Sequence, residues 1–130
     1  MKNLFGPKPV VLVSRCCAGA ECRYNGKGYF KKAVKDLGRR ADFIAACPEL
    51  LGGLPTPREG VNIVKDRAIG RQTGADYTQA YMAGARKTLE LCQANGIKTA
   101  YLLARSPSCG KGYGLTARLL EAHGIRVIAI

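Results

Sequence analysis

The sequence lacks any run of about 18 apolar residues, the length a membrane-spanning helix needs, so no membrane contact is expected. Its first nine residues, Met1 to Pro9, hold neither a long apolar stretch nor a cleavage pattern. They read as a short polar lead into a strand rather than a signal peptide, and a cytoplasmic location is expected by default. Acidic residues are scarce, 9 Asp and Glu against 21 Lys and Arg, for a formal net charge of +12. A field of that sign attracts polyanions and anionic small molecules. No five like charges follow one another, however, so the excess reads as a solvated basic surface rather than a basic tail. No pair of cysteines has the Cys-x-x-Cys spacing, which speaks against a zinc ribbon or a thioredoxin-like motif. The single histidine, His123, falls at a predicted helix end just before Gly124, where a cation suits the helix dipole. A Cys–His nucleophilic pair therefore has little support. There is no Walker-type phosphate loop. Gly110-Lys111-Gly112-Tyr113-Gly114 places glycines at alternate positions before a helix, a weak anion-nest signal beside the plainer reading of a flexible turn.

What is present suits one domain spanning residues 1–130. A chain of this length buries roughly two thirds of its unfolded surface, so disulfides are not needed to hold it together. Val10 to Ser14 is a continuous apolar run, as expected of a strand covered on both faces. A glycine-rich turn follows, then a helix from about Tyr29 to Leu37, with Phe30, Ala33, Val34 and Leu37 at helical spacing. Phe43 to Ala46 is a second strand, stopped by Cys47-Pro48. Leu50 to Arg58, with two glycines and two prolines, reads as a rigid loop. Val61–Val64 and Arg67–Arg71 are short extended pieces. The longest helix runs from about Tyr77 to Ala94, with Tyr81, Ala85, Leu89 and Cys92 on one face. A strand over Thr99 to Ala104, a helix over Leu115 to Ala122 and a strand over Arg126 to Ile130 complete the chain. This order predicts a single-domain, three-layer α/β sandwich around a mainly parallel, Rossmann-like sheet.

Six cysteines in such a chain are read as metal ligands, redox groups or buried apolar residues rather than as a disulfide framework. Three of them, Cys16, Cys47 and Cys109, come just after predicted strands. The carboxyl ends of parallel strands share one edge of the sheet, the edge where such folds bind ligands. Three thiols there would suit an iron–sulfur cluster with one iron left open, and plain burial at strand ends is the competing reading. Cys17 adjoins Cys16, and neighbouring side chains on an extended segment point opposite ways. Cys17 is therefore read as packing, with a fourth-ligand role as the alternative. Cys22 is read as structural rather than redox-active, and Cys92 as core. Glu49 sits beside Cys47-Pro48. An anionic cluster next to it would raise its pKa and suit it to proton transfer, whereas pairing with an arginine would make it structural. Ser106 and Ser108 either position a substrate or cap the following helix.

Several blocks of this sequence resemble the thiouracil desulfidase family. They are Val13-Ser14-Arg15-Cys16, Cys22-Arg23-Tyr24-Asn25-Gly26, the run from Cys47-Pro48-Glu49 to Pro57-Arg58, Gly84-Ala85, and Ala104-Arg105-Ser106-Pro107-Ser108-Cys109-Gly110. They span nearly the whole chain in the family's order. The resemblance implies a [4Fe–4S] cluster held by Cys16, Cys47 and Cys109, with Glu49 and Ser106 around the substrate. The implied reaction is hydrolytic desulfuration, in which the thiocarbonyl of a thiolated nucleobase such as 2-thiouracil, or of a related small molecule, becomes a carbonyl. Two departures from the family pattern stand out. The extra loop that often follows the Ser-Pro-Ser-Cys-Gly motif is absent, and Arg15 and Cys17 flank Cys16 where a small and an aliphatic residue are usual. Two other functions stand beside desulfuration: an iron–sulfur sulfur-carrier or cluster-binding module without turnover, and a module that binds or processes thiolated RNA through its basic charge.

Overall fold

Strand β1 (Val10–Ser14) is the axis of the structure. Its side chains alternate between two packed layers, as the pleat of a strand requires. Val11 and Val13 face Val34 and Leu37 of helix α1 (Lys32–Leu37). Leu12 faces Leu89 and Cys92 of helix α3 (Thr78–Ala94) and Leu120 of helix α4 (Leu115–Ala122). Layers on both faces are why the run is apolar without interruption. The computed structural model describes residues 8–20, 25, 26, 28 and 31–130.

Around β1 the chain builds a four-stranded sheet in the order β2-β1-β5-β6, all parallel, with β2 at Asp42–Ala46, β5 at Thr99–Leu102 and β6 at Arg126–Ala129. The three-layer α/β reading of the sequence is borne out. Val10 pairs with Asp42 and Ser14 with Ala46, so β1 and β2 end level with one another. The chain leaves β1 toward β2 on one side and later returns as β5 on the other. That reversal opens a crevice at the carboxyl ends of β1 and β5, the usual ligand position in open α/β sheets.

Between α2 (Pro48–Leu51) and α3 lies an antiparallel hairpin of β3 (Val61–Val64) and β4 (Arg67–Gly70), where the sequence suggested two extended pieces. Its two-residue turn, Lys65-Asp66, has φ of 51° and 65°, the left-handed pair of a type I′ turn that matches strand twist. The hairpin is tied down by Ala68, whose N–H donates to Thr78 Oγ1 at 2.9 Å, and by a small core of Val61, Ala68, Tyr81 and Leu115.

Three boundaries differ by more than one residue from the sequence reading. The expected loop from Leu50 begins inside a helical turn, α2, because Pro48 at the first helical position has the right φ and no N–H to lose. Strand β5 is bounded at Leu102, where its pairing with β1 gives way and the Leu103 N–H donates to Ser14 Oγ at 2.8 Å, although backbone bonds to the β6 side run on, from the Ile130 N–H to Leu102 O and from the Ala104 N–H to Ile130 O, both at 2.9 Å. Helix α1 starts at Lys32; Tyr29 and Phe30, expected in it, lie outside the described residues, as does Cys22.

Candidate functional site

A cavity of about 410 Å³ opens at the carboxyl edge of the sheet, and Cys16, Cys47 and Cys109 all line it. Each arrives by a different device. Cys16 sits in a 3-10 turn, Arg15–Cys17, that directly follows β1. Cys47 is the N-cap of α2, immediately after β2. Cys109 is carried by the loop after β5 and is only 5% exposed. No disulfide joins any two of the five described cysteines.

The Cys109 loop is held by its own serine. Ser106 Oγ accepts the N–H of Ser108 at 3.2 Å and of Cys109 at 3.1 Å. Ser106 thus shapes the loop as a side-chain cap, while still lining the cavity. Ser108 Oγ reaches Glu49 Oε1 at 3.4 Å and Cys109 Sγ at 3.6 Å, so it bridges the carboxylate and the thiol. Burial pushes the Cys109 thiol up to about 12, against hydrogen bonds from Ser14 and Ser108 that favour the thiolate. A thiol in that position ionises when a bound cation takes over its charge.

Within Gly110–Gly114 the amides of Gly110, Tyr113 and Gly114 are bonded inside the loop, which favours the plain turn over an anion nest. The Gly110 N–H donates to Ser106 O, that of Gly114 to Gly110 O, and those of Leu115 and Thr116 to Pro107 O and Ser108 O. These amides are committed to the loop itself.

Glu49 lies in the first turn of α2, 6% exposed, and lines the same cavity. It is ion-paired with Arg58, whose Nε donates to Glu49 Oε2 at 2.6 Å and whose Nη2 donates to the same oxygen. Arg58 in turn is braced by its Nη1, which donates to Pro55 O at 3.0 Å and Thr56 Oγ1 at 3.1 Å. Tyr81 of α3, 2% exposed, reaches the cavity beside this pair. Burial and then the Glu49 carboxylate push its hydroxyl pKa up.

Helix α2 can sit where it does only because two glycines let it press against α3. A Cβ on Gly84 would overlap the Pro48 carbonyl, and a Cβ on Gly52 would overlap that of Ala80. This close approach accounts for Gly84 in the middle of a helix, where glycine is otherwise costly.

The structure thus gathers Cys16, Cys47, Cys109, Glu49 and Ser106 around one cavity. It leaves out Cys17, which is 1% exposed and packs with Val34 and Leu37, and Cys92, which is fully buried in the α3 core. His123 caps α4, its Nδ1 lying 3.0 Å from Leu119 O. Sequence reasoning passed over Arg58, Tyr81 and Ser14. Arg58 was the readable one, the only cation in the glycine- and proline-rich segment from Leu50 to Arg58. Tyr81 was assigned to the apolar face of α3, and only the fold reveals that its hydroxyl end meets the cavity.

Among the described residues, no three His, Cys, Asp or Glu side chains converge closely enough to hold a single metal ion. Thiolates that each bind a different iron of a cluster stand further apart than the ligands of one ion. Three soft sulfur donors on three separate backbone segments fit such a group.

Comparison with known proteins agrees with the site. YbbK of Bacillus subtilis (strain 168), an uncharacterised protein, is 36% identical over 143 aligned positions, which cover 92% of this chain and 95% of YbbK. That alignment is longer than the 130-residue chain, so YbbK carries insertions that this chain lacks. The solved structure of the [4Fe–4S]-dependent thiouracil desulfidase TudS superposes with a TM-score of 0.86 at 35% identity, covering 94% of this chain and 91% of TudS. The model of the 2-thiouracil desulfurase family matches residues 11–130, and the chain belongs to that family.

Proposed function

We propose that this protein is a desulfidase that replaces the thiocarbonyl sulfur of a small thiolated heterocycle, such as 2-thiouracil, by oxygen from water. The observation that carries the reading is the meeting of Cys16, Cys47, Cys109 and Glu49 around one cavity. Cys16, Cys47 and Cys109 would hold a [4Fe–4S] cluster, the cofactor on which TudS depends. When bound, the cluster supplies an open iron, a soft Lewis acid that prefers sulfur to oxygen.

The protein's own residues do the rest. Glu49 accepts a proton from the water that attacks the thiocarbonyl carbon. Ser106 fixes the Cys109 loop and presents its hydroxyl to the cavity. The carbon–sulfur bond breaks, a carbonyl forms and sulfur leaves as sulfide. Water supplies the oxygen and the two hydrogens, so no electrons are consumed. Arg15, Lys31, Arg71 and Arg105 also line the cavity. These cations favour a second reading, contact with thiolated RNA, since phosphate contacts dominate such binding. A site built on cysteine ligands suits a reducing compartment such as the cytoplasm, and no helix among the described residues is long and apolar enough to cross a membrane.

The test is anaerobic. Protein reconstituted with iron and sulfide is incubated with 2-thiouracil and released sulfide is measured. Iron content is compared with that of Cys16→Ala, Cys47→Ala, Cys109→Ala and the control Cys92→Ala. The first three lose the cluster and the control keeps it. Full iron in any of the three, or no sulfide from any thiolated base, would overturn the proposal.

A further inference from the structure

The Glu49–Arg58 pair is buried on both sides, with side-chain exposures of 8% and 7%. A buried ion pair is weak evidence of stability by itself, because desolvation offsets most of the attraction. Its geometry here is one-sided. The two Arg58 groups that reach the carboxylate, Nε and Nη2, both donate to Oε2, whereas Oε1 faces Ser108 Oγ and, through it, Cys109 Sγ. A fork that usually spans both oxygens of a carboxylate is spent on one.

We propose that Arg58 is the positioning residue for Glu49. It fixes the carboxylate by Oε2 and so turns Oε1 toward the Cys109 end of the cavity, with Tyr81 closing the network. Three features support the assignment. Arg58 is itself immobilised by Pro55 O and Thr56 Oγ1, so it is an anchored fork rather than a loose surface arginine. Tyr81 comes from α3, the helix against which α2 is pressed, and its hydroxyl lies within electrostatic reach of both Glu49 and Arg58. The pair lines the cavity instead of lying in the apolar core.

This role rests on the desulfidase reading of the site, so the experiment separates the two. Arg58→Lys keeps the charge but loses the planar fork. Tyr81→Phe keeps the ring and loses the hydroxyl. Each is compared with wild type for iron content, for kcat and KM on 2-thiouracil, and for urea unfolding alone and in a Glu49→Gln background. Misplacement of a catalytic group by about 1 Å costs on the order of 10²-fold in rate. The expected result for Arg58→Lys is a loss of that size in kcat, with iron content and KM near wild type. Tyr81→Phe shows a smaller loss in the same direction. The urea midpoint of Arg58→Lys falls, and Glu49→Gln removes most of that fall.

Wild-type kcat in Arg58→Lys would overturn the role. So would a loss of iron that tracks the loss of kcat, because Arg58 would then hold the site together rather than aim Glu49. Wild-type protein that releases no sulfide would overturn the desulfidase reading itself. The unfolding measurements would then report the pair as structural.

Discussion

Gly84→Ala sets two effects of opposite sign against each other. Gly84 lies inside the 17-residue helix α3. On propensity alone, alanine there stabilises by about 1 kcal/mol. The structure predicts the reverse. A Cβ at this position would stand 2.8 Å from the Pro48 carbonyl carbon and 3.1 Å from the Gly52 nitrogen, and would overlap the Pro48 oxygen. Those are backbone atoms, which no side-chain rotation clears, so α2 must back away from α3. Overpacking of this kind costs about 1–3 kcal/mol, and a rigid backbone contact belongs at the upper end. Set against the propensity gain, the net destabilisation is about 2 kcal/mol. With a urea dependence of about 2 kcal/mol per molar, the midpoint falls by roughly 1 M. The displacement also carries Cys47, the N-cap of α2, and Glu49, in its first turn, away from Cys16 and Cys109. Sulfide release should therefore fall more steeply than stability, by on the order of 10²-fold for a shift of about 1 Å. Urea titration and the sulfide assay on the same anaerobic sample read both quantities. A Gly84→Ala protein with an unchanged or higher midpoint and full turnover would refute the packing argument and the claim that it positions Glu49.

Acid stability gives a separate check at the hairpin. Glu59 accepts hydrogen bonds from Thr73 and Tyr77 hydroxyls and from the Gln72 and Thr73 amides, which hold its pKa at about 2 against an ordinary 4.5. A depressed carboxylate stabilises the fold above its unfolded pKa and loses that contribution as pH falls through the folded value. Wild type should therefore lose stability between about pH 4.5 and 2, and Glu59→Gln should lose less over that window, as read from urea midpoints at each pH. Ser106→Ala removes the acceptor of two loop amides. It should destabilise by about 1 kcal/mol, as loss of a cap does, and lower iron content, measured by unfolding and by an iron assay.

Much of this architecture was legible because strand and helix periods differ. The uninterrupted apolar run of β1 announced a strand buried on both faces, and the four-residue spacing of Tyr81, Ala85 and Leu89 placed one face of α3 in the core. Knowing that parallel strands end on one edge was enough to bring Cys16, Cys47 and Cys109 to one place. What stayed hidden was set by contacts far apart in the chain. Nothing local says that Gly84 must meet Pro48, or that Arg58 turns back to Glu49 rather than facing solvent like most of the described lysines and arginines. The helical turn of α2 was locally encoded by Cys47-Pro48-Glu49, and was obscured because proline reads as a stop signal as readily as a start.

Ser14 joins the fold to the site, and its removal separates what it does for each. Its Oγ accepts the Leu103 N–H at 2.8 Å, where the backbone pairing of β1 with β5 ends beside the crevice. Its hydroxyl also lies close enough to the Cys109 thiol to favour the thiolate. Ser14 is 2% exposed and the bond is part-buried, so Ser14→Ala leaves the Leu103 amide without this partner. An unsatisfied buried donor costs about 1–3 kcal/mol. Ser14→Thr keeps the oxygen and serves as the control for shape. If Ser14 supports only the sheet, Ser14→Ala lowers the urea midpoint and leaves iron retention under chelator challenge unchanged. If it also supports the thiolate, iron leaves faster from Ser14→Ala at equal fraction folded, and Ser14→Thr recovers both properties. The Leu103 bond together with the pull of Ser14 on the Cys109 thiol predicts the second pattern. An alanine variant matching wild type in midpoint and in iron retention would mean that neither interaction matters to the molecule.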